Sequence, residues 1–372
     1  MKIGIDLLWV RPGICGGTES FIRNLMNGFA QYDKINKYTL FVAEDNADTF
    51  RQYEQYSQMN IKVCPIKCVS QPKRILWENL HLDKSAQEEG IDVMFIPVYS
   101  KPRTYRSKIP YVCVIHDLQA MHFPQYFSVL RRLFLKYTWR YACKTSQCIV
   151  TISEFCKGDL ITHFPNVKDK CIVIYNPVEI GCSTLEDVMV EQKYGIKSGA
   201  FFYCVSSMLP HKNLETLLKA IALCKKKNIN IPLVISGVGG EKEAFYGLVE
   251  NLGLQQDVID TGYVTNTERD WMYENCKMFL FPSVFEGFGM PPVEALSKGK
   301  NVIMTKESCL KEVTQGMAIY VENPYDEKEW AETIERSFKM MPNTAYGWEF
   351  SEYKCENVVQ RYLEVFQNCM KI

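Results

Sequence analysis

Two glutamates eight positions apart mark the segment of this sequence best suited to chemistry. Glu286 lies on a glycine-rich turn in SVFEGFGMPPVEAL, and Glu294 follows Pro291 and Pro292, which favour the start of a helix. The exposed backbone amides of such a turn can bind sugar hydroxyls or an anion, and the two carboxylates can accept hydrogen bonds from hydroxyls. A turn followed by a glutamate that the helix dipole favours is the simpler interpretation, but it does not account for the whole combination.

Three further segments place chemically useful residues where apolar runs end. Lys212, in LPHKNLETLLKA, lies in the first turn of a predicted helix, where the helix dipole disfavours a cation unless it faces a bound dianion or solvent. His116 ends the run YVCVIHD and could hydrogen bond to a hydroxyl, although a purely structural histidine fits as well. Gly16 and Gly17, in GICGGTES, precede a predicted helix whose N–H groups suit a phosphate, although many such turns bind nothing.

A repeating pattern of strands and helices positions these segments. Short β-rich apolar runs alternate with amphipathic stretches, which predicts an α/β protein with parallel sheets buried on both faces. Because ligands bind beyond the carboxyl ends of strands in such sheets, we expect the segments to lie at those ends. Candidate strands lie at residues 2–8, 38–43, 61–66, 93–98, 111–117, 148–153, 171–176, 200–207, 231–237, 258–264, 278–283, 301–305 and 317–321.

The pattern restarts near residue 200, and this predicts two successive domains. A proline and polar residues interrupt it at 176–187, so we place an N-terminal Rossmann-like domain at 1–178 and a C-terminal one at 179–351. A last helix follows at about 352–370. The length of 372 residues agrees with two domains.

Composition and charge indicate an ordinary globular protein. Residues 1–178 contain 23 Lys and Arg against 16 Asp and Glu, a net charge of +7, and the remainder contains 20 against 27, a net charge of −7. The basic half suits an anionic partner such as a lipid head group or phosphates, or reflects uneven surface charge. The 15 cysteines show no zinc-site spacing, which fits a reducing cytosol. We expect neither a signal peptide nor a membrane span.

Taken in order, the motifs resemble the retaining glycosyltransferases of family four, which have the GT-B fold. The signature of that family is a glutamate, seven residues and a second glutamate, matched here by EGFGMPPVE at 286–294. An ordered set that covers essentially the whole chain is far more specific than one motif. The other matching segments are GG at 16–17, HD at 116–117, SEF at 153–155, NPV at 176–178, PHKN at 210–213, SGVGG at 236–240 and GYV at 262–264.

The resemblance implies two Rossmann-like domains whose parallel sheets face each other across a cleft that holds a nucleotide-sugar donor. The helix at about 352–370 would pack back on the N-terminal, acceptor-binding domain. In the C-terminal domain, Glu294 would bind the ribose hydroxyls, Lys212 the diphosphate, and Tyr263 would lie near the base. Glu286 would hydrogen bond to the reacting face of the transferred sugar. That sugar would be held by the backbone amides of Phe288, Gly289 and Met290.

The resemblance also implies a mechanism. His116 would touch a sugar hydroxyl and support the charge that develops, and the amides near Gly16 and Gly17 would help Lys212 to neutralise the diphosphate. The transition state would be oxocarbenium-like, and the configuration at the sugar carbon would be retained. The donor phosphate would take the acceptor proton, so no dedicated protein base is expected.

One departure concerns the diphosphate. Many relatives carry an arginine a few residues before the lysine, where this chain has Ser206-Ser207-Met208-Leu209. Ser207 could donate a hydrogen bond, but a charge is missing, which keeps open a non-catalytic subunit. No Asp-x-Asp metal clamp occurs, so we expect a metal-independent enzyme that needs no cofactor besides its donor.

The donor and acceptor are expectations of the same kind. EGFGMPP is similar to a subgroup that often transfers mannose from GDP-mannose, and a UDP-linked sugar is the alternative. The acceptor would be a glycan or a lipid-linked sugar in cell-surface polysaccharide synthesis. No nucleic acid partner is expected.

Residues 130–144 predict a basic, aromatic amphipathic helix in LRRLFLKYTWRYACK. Such a helix can lie on an anionic membrane surface, or it can be a surface helix whose cations reach past apolar neighbours. We therefore expect a cytoplasmic protein, with peripheral contact to the inner face of the membrane through 130–144 left open.

Other enzyme classes fit the sequence less well. A dinucleotide-dependent oxidoreductase needs GxGxxG after the first strand, where this chain has GICGG. A nucleotide-sugar epimerase lacks the paired glutamates in this form. A glycan phosphorylase is much longer and needs a pyridoxal lysine.

Overall fold

The computed structural model describes residues 1–103, 107–179, 183–239, 242–338 and 350–371. The chain divides into two compact units. Unit 1 comprises Met1–Pro177 and Ser351–Ile372, and unit 2 comprises Val178–Phe350. Gly240 of the SGVGG motif and part of the linker predicted at 176–187 lie outside the described residues.

Unit 1 contains a seven-stranded parallel sheet in the order β3-β2-β1-β4-β5-β6-β7. Ile5 of the inner strand β1 pairs with Leu40 on one side and Phe95 on the other, and all three are fully buried. The apolar runs form strands because both faces of the sheet are covered. The strands are β1 Lys2–Asp6, β2 Lys37–Ala43, β3 Met59–Cys64, β4 Val93–Ile96, β5 Tyr111–Ile115, β6 Cys148–Thr151 and β7 Cys171–Val173.

Unit 2 contains a six-stranded parallel sheet in the order β10-β9-β8-β11-β12-β13. The prediction of two Rossmann-like α/β domains is therefore confirmed. The strands are β8 Phe202–Val205, β9 Leu233–Ser236, β10 Val258–Gly262, β11 Met278–Phe281, β12 Val302–Thr305 and β13 Ile319–Val321.

Helices connect the strands in both units. They are α1 Gly17–Tyr32, α2 Gln71–Trp77, α3 Asp83–Glu88, α4 Gln119–His122, α5 Val129–Thr145, α6 Glu154–His163, α7 Asp187–Tyr194, α8 Leu214–Lys226, α9 Lys242–Asn251, α10 Asn266–Asn275, α11 Met290–Ser297, α12 Leu310–Val313, α13 Glu327–Phe338 and α14 Cys355–Cys369. A π-helical turn at Glu78–Leu82 joins α2 to α3.

The last helix, α14, completes the core of unit 1. Its residue Phe366 is fully buried and lies edge-on to Phe95 of β4, with the ring centroids 5.4 Å apart. Gly28 of α1 makes room for it, because a Cβ atom at that position would lie 2.7 Å from Val359 Cγ2.

The strand order reverses once in each sheet, between β1 and β4 in unit 1 and between β8 and β11 in unit 2. In open parallel sheets the loops at the carboxyl ends of these strands diverge and leave a crevice for ligands. The segments that contain Gly16 and Lys212 follow β1 and β8, and the segment that contains Glu286 follows β11.

Within the described residues, no helix is both long and apolar enough to span a membrane.

Candidate functional site

Lys212 and Glu286 form an ion pair at the reversal of the unit 2 sheet. The Lys212 Nζ atom lies 2.6 Å from Glu286 Oε1, and both side chains are partly exposed. Two hydrogen bonds tie the loop after β8 to the loop after β11. The backbone N–H of Val284 and the hydroxyl of Ser283 both donate to the carbonyl oxygen of His211, at 2.8 and 3.2 Å.

A short turn before α8 positions Lys212. The lysine ends a 3₁₀ turn at Pro210–Lys212, so it precedes α8 rather than lying in the first turn of that helix as predicted. Asn213 adopts a left-handed conformation with φ of 51°. Its side chain donates to the carbonyl oxygen of Pro324 and accepts from the hydroxyl of Thr216, both at 2.7 Å, which fixes the turn.

Gly289 sets the geometry of the turn between the two glutamates. Its φ of 79° favours glycine, and a Cβ atom there would lie 2.7 Å from Leu310 Cδ2. Helix α11 begins directly afterwards at Met290, with the prolines in its first turn. This start lies one residue before Pro291 and Pro292, which the sequence marks as favouring the start of a helix. The backbone N–H groups at Phe288, Gly289 and Met290 thus lie at the amino end of a helix, where anions and polar oxygens are favoured.

Glu294 is buried and held by two side chains of α10. The Tyr273 hydroxyl donates to Glu294 Oε2 at 2.7 Å, and an Arg269 guanidinium nitrogen lies 4.0 Å from Oε1. Burial alone would lower the pKa of Arg269, but Glu294 and other neighbours raise it above its ordinary value. Burial and the nearby Glu294 hold the pKa of Tyr273 well above its ordinary value, so its hydroxyl remains a donor. The arrangement fixes the carboxylate as a hydrogen-bond acceptor.

Arg269 and Tyr273 were not predicted as site residues. Their spacing of four along the sequence was the available signal, because in a helix this spacing puts both side chains on one face.

Tyr263 and Ser207 follow β10 and β8 of the unit 2 sheet, which are separated by β9. Tyr263 comes directly after β10, is 81% exposed, and its hydroxyl oxygen would lie 3.6 Å from a Cβ atom at Gly239. Its exposed ring can stack on a planar ligand. Ser207 is half-buried, two residues beyond the end of β8.

His116 follows β5 in unit 1, and its imidazole is neutral. Its Nε2 atom lies 2.8 Å from the carbonyl oxygen of Pro97, so Nε2 carries the hydrogen and donates it. Burial lowers the pKa of His116 to about 4. The Nδ1 atom of this tautomer is an acceptor that suits a sugar hydroxyl.

Gly16 and Gly17 form the turn into α1. Gly16 precedes the first helical residue, and its φ of 55° favours glycine. A Cβ atom at either position would meet no atom within 4 Å, so the described structure leaves space beside both. The backbone N–H of Gly13 is already used, since it donates to Glu19 Oε2 at 2.9 Å.

A cavity of about 380 Å³ lies in unit 1, where the loops after β1, β4 and β5 meet. It adjoins His116 and carries three arginines, none of which was predicted to bind a ligand. One arginine lies in the loop after β1, one lies in α2, and one lies in α5, the segment interpreted as a membrane helix. They are Arg11, Arg74 and Arg131.

The predicted residues therefore fall into two groups. Lys212, Glu286, Glu294 and the residues near them belong to unit 2, and His116, Gly16 and Gly17 belong to unit 1. Among the residues that the structure describes, no group of His, Cys, Asp and Glu is arranged to hold a metal ion.

Each unit matches a glycosyltransferase domain. Residues 15–181 match the model of Glycosyltransferase Family 4, and residues 190–345 match that of Glycosyl transferases group 1. With its two parallel sheets, the chain therefore has the fold of the GT-B glycosyltransferases.

Individual relatives agree with this class. O-antigen chain mannosyltransferase B of Escherichia coli is 28% identical over 224 residues, which cover 58% of each chain. O-antigen chain mannosyltransferase RfbU of Salmonella typhimurium is 24% identical over 66% of each chain. The matches thus span about three fifths and two thirds of these relatives. The uncharacterized glycosyltransferase MJ1607 of Methanocaldococcus jannaschii is 22% identical over 100% of this chain and 99% of its own.

Solved structures share the whole fold. Anabaena Alr3699/HepE in complex with UDP and glucose has a TM-score of 0.74 at 18% identity, covering 99% of this chain and 100% of that chain. WaaG, a glycosyltransferase involved in lipopolysaccharide biosynthesis, has a TM-score of 0.67 at 15% identity, covering 99% and 98%.

Proposed function

We propose that the chain is a retaining glycosyltransferase that moves mannose from GDP-mannose to a glycan or lipid-linked acceptor in cell-surface polysaccharide synthesis. The observation that carries the proposal is the Lys212–Glu286 ion pair at the reversal of the unit 2 sheet, with Glu294 eight residues on. The two O-antigen mannosyltransferases among the relatives support mannose as the sugar.

Unit 2 would bind the nucleotide part of the donor. The carboxylate of Glu294, held by Tyr273, would accept hydrogen bonds from the ribose hydroxyls. Lys212 would neutralise the diphosphate, with a hydrogen bond from Ser207. The exposed ring of Tyr263 would lie against the base.

Glu286 and the amides at 288–290 would hold the transferred sugar. Because Glu286 is paired with Lys212, the sugar and diphosphate contacts are fixed relative to each other. Neutralising the leaving diphosphate lowers the barrier to an oxocarbenium-like transition state. A neutral His116 would accept a hydrogen bond from a sugar hydroxyl, and the amides near Gly16 and Gly17 would assist at the diphosphate. The donor phosphate would take the acceptor proton.

We also propose peripheral membrane contact through α5. Its residues Leu130 and Leu133 are 80% and 60% exposed, next to the exposed cations Arg132, Lys136 and Arg140. Apolar side chains that enter the interface beside cations that meet anionic head groups are typical of helices lying on membranes.

Thermal unfolding of the purified chain with GDP, UDP, ADP, TDP and their sugars tests the donor site. A ligand that binds the native state raises the melting temperature. We expect GDP and GDP-mannose to raise it, with and without a chelator. Glu294→Gln should weaken the shift, because it removes the charge while keeping an acceptor for Tyr273. Glu250→Gln, at an exposed position on α9, is the matched control and should leave the shift unchanged.

Other results of the thermal unfolding experiment would change the proposed donor or the proposed function. A shift by UDP alone would replace GDP-mannose with a UDP-linked sugar, the nucleotide named for the structural relative from Anabaena. A shift lost on adding chelator would contradict the metal-independent donor site. No shift by any nucleotide at millimolar concentration would favour a non-catalytic subunit.

A further inference from the structure

The cavity at the β1/β4 reversal of unit 1 has side chains with unsatisfied hydrogen-bond donors in its lining. The indole Nε1 of Trp139 and the Nε of Arg74 are both buried and have no hydrogen-bond partner among the described residues. Both side chains line the cavity, together with Arg11 and Arg131. An indole N–H and a guanidinium can only donate, so each needs an acceptor atom as its partner.

Charge on the cavity lining favours an oxyanion. Three arginines line it against one aspartate, Asp117. Arg131 is oriented by its neighbours, since its Nη2 atom lies 3.1 Å from the Tyr99 hydroxyl and its guanidinium lies over the ring of Phe134. Guanidinium groups bind phosphate through paired hydrogen bonds, which makes an anionic phosphate a better match than a neutral sugar.

Buried carboxylates hold Arg74 beside this cavity. Its Nη1 atom lies 2.5 Å from Glu78 Oε1 in the π-helical turn, and Asp6, at the end of β1, interacts with the same guanidinium. Burial raises the pKa of both Asp6 and Glu78 above the ordinary carboxyl range. Arg74 is therefore a positioned donor that keeps part of its positive charge, and Arg11 and Arg131 add to the positive charge of the lining.

A second cavity, of about 440 Å³, adjoins the first, and the two share Ile75, Ser100 and Phe134 in their linings. It lies between α2 with its π-helical turn and α5. Apolar and aromatic side chains form much of its lining, and several of them are exposed. These are Leu76 at 60%, Leu80 at 63% and Tyr137 at 46%.

We propose that the two cavities together bind a lipid phosphate, with the phosphate beside Arg11, Arg131 and Trp139 and the apolar chain between α2 and α5. A soluble neutral glycan has neither the negative charge that the three arginines favour nor an apolar part for the second cavity. The combined volume lies within the range of sites for small organic ligands. That this lipid phosphate is the acceptor, carrying the sugar to be extended, rests on the proposed function; the binding site itself does not.

Farnesyl diphosphate tests the site, since it joins an apolar isoprenoid chain to a diphosphate in one water-soluble molecule. Inorganic pyrophosphate and farnesol are its two matched halves. The titrations use the full chain, by calorimetry, with saturating GDP present so that the nucleotide site is blocked. We expect farnesyl diphosphate to bind at least about tenfold more tightly than either half.

Paired variants assign the two parts of the ligand. Trp139→Phe keeps the ring and removes the N–H, and it should weaken farnesyl diphosphate about tenfold. Leu80→Glu places a charge in the apolar cavity and should weaken farnesyl diphosphate while leaving pyrophosphate unchanged. Leu130→Glu is the control, because Leu130 is 80% exposed and lines neither cavity. Circular dichroism checks that each variant folds.

Three results would overturn the proposal. Pyrophosphate that binds as tightly as farnesyl diphosphate would leave an anion site without a lipid chain, and farnesol that binds as tightly would leave an apolar site without an anion. Absence of farnesyl diphosphate binding would remove the site altogether. A chain that binds farnesyl diphosphate but no nucleotide keeps this site and loses the proposed function, so the two failures are distinguishable.

Discussion

In the proposed reaction Lys212 would interact with both Glu286 and the diphosphate of the donor. Its ammonium group lies 2.6 Å from Glu286, and the carboxylate cancels its charge until a diphosphate approaches. With serines and a leucine around the position where many relatives carry an arginine, Lys212 is the cation that the sequence supplies beside β8. Lys212 would therefore neutralise the diphosphate without the help of a neighbouring arginine.

Lys212→Met should therefore lower kcat/KM by about 10²- to 10³-fold, the range seen when one preorganised stabilising group is lost from a transition state. Initial rates with donor and acceptor measure the change. Lys219→Met is the matched control, because Lys219 is an exposed lysine of α8 that pairs only with Glu215 of the same helix among the described residues. A variant at Lys212 that keeps its rate within threefold would remove the lysine from the mechanism.

Some site residues could be predicted from the sequence and others could not. Lys212, Glu286 and His116 stand where apolar runs end, so their places at strand ends followed from the pattern alone. Trp139 and Arg74 lie inside helices, where nothing local separates a ligand-binding side chain from a surface or core one. They are candidates for ligand binding because each has a buried N–H group without a hydrogen-bond partner in the described part of the chain, and only the three-dimensional packing shows this.

Among the elements, α11 shows how a loop conformation controls the site. The left-handed Gly289 lets the chain turn from β11 into the helix, which brings Glu286 to Lys212 while Glu294 faces α10. Proline residues in the first turn do not interrupt the helix because their missing N–H groups have no partner there anyway. The helix can therefore begin at Met290 and continue through both prolines.

Gly289→Ala should lower the free energy of unfolding of unit 2 by about 2 kcal/mol or more, since the residue must hold a positive φ and its Cβ atom would overlap Leu310. Urea unfolding followed by circular dichroism measures the loss. Gly247→Ala is the contrasting change: Gly247 lies inside α9 with open space around it, so alanine should stabilise the helix by about 0.5–1 kcal/mol. Equal effects of the two substitutions would contradict this account of the turn.

Strands were predicted more reliably than their ends. Each of the thirteen candidate runs overlaps a strand, but most strands stop earlier than the apolar run does. After β1, for example, Leu7, Leu8 and Val10 are fully buried although they lie beyond the strand. Loops at the carboxyl ends of the sheet are covered by other parts of the unit, so hydrophobicity alone does not mark where pairing ends. The π-helical turn at Glu78–Leu82 left no recognisable pattern.

At the scale of the whole molecule, charge is divided along the chain. Residues 1–178 carry a net charge of +7 and residues 179–372 one of −7. The positive part includes α5, with its exposed leucines, and the proposed site for a lipid phosphate. A protein that takes its acceptor from a membrane benefits from attraction between this part and anionic head groups.

The chain should therefore sediment with vesicles of anionic phospholipid at low salt and dissociate as salt shortens the Debye length. Leu130→Glu should weaken this binding, because it removes an apolar contact of α5 and adds a repelled charge. Ile35→Glu is the control: Ile35 is 87% exposed in unit 1, follows the carboxyl end of α1, and undergoes the same change of charge. Equal losses from both substitutions would show that net charge rather than α5 drives the association. Leu130→Glu should leave farnesyl diphosphate binding intact, so that contact with the membrane surface and capture of a lipid phosphate are separable events on the same unit.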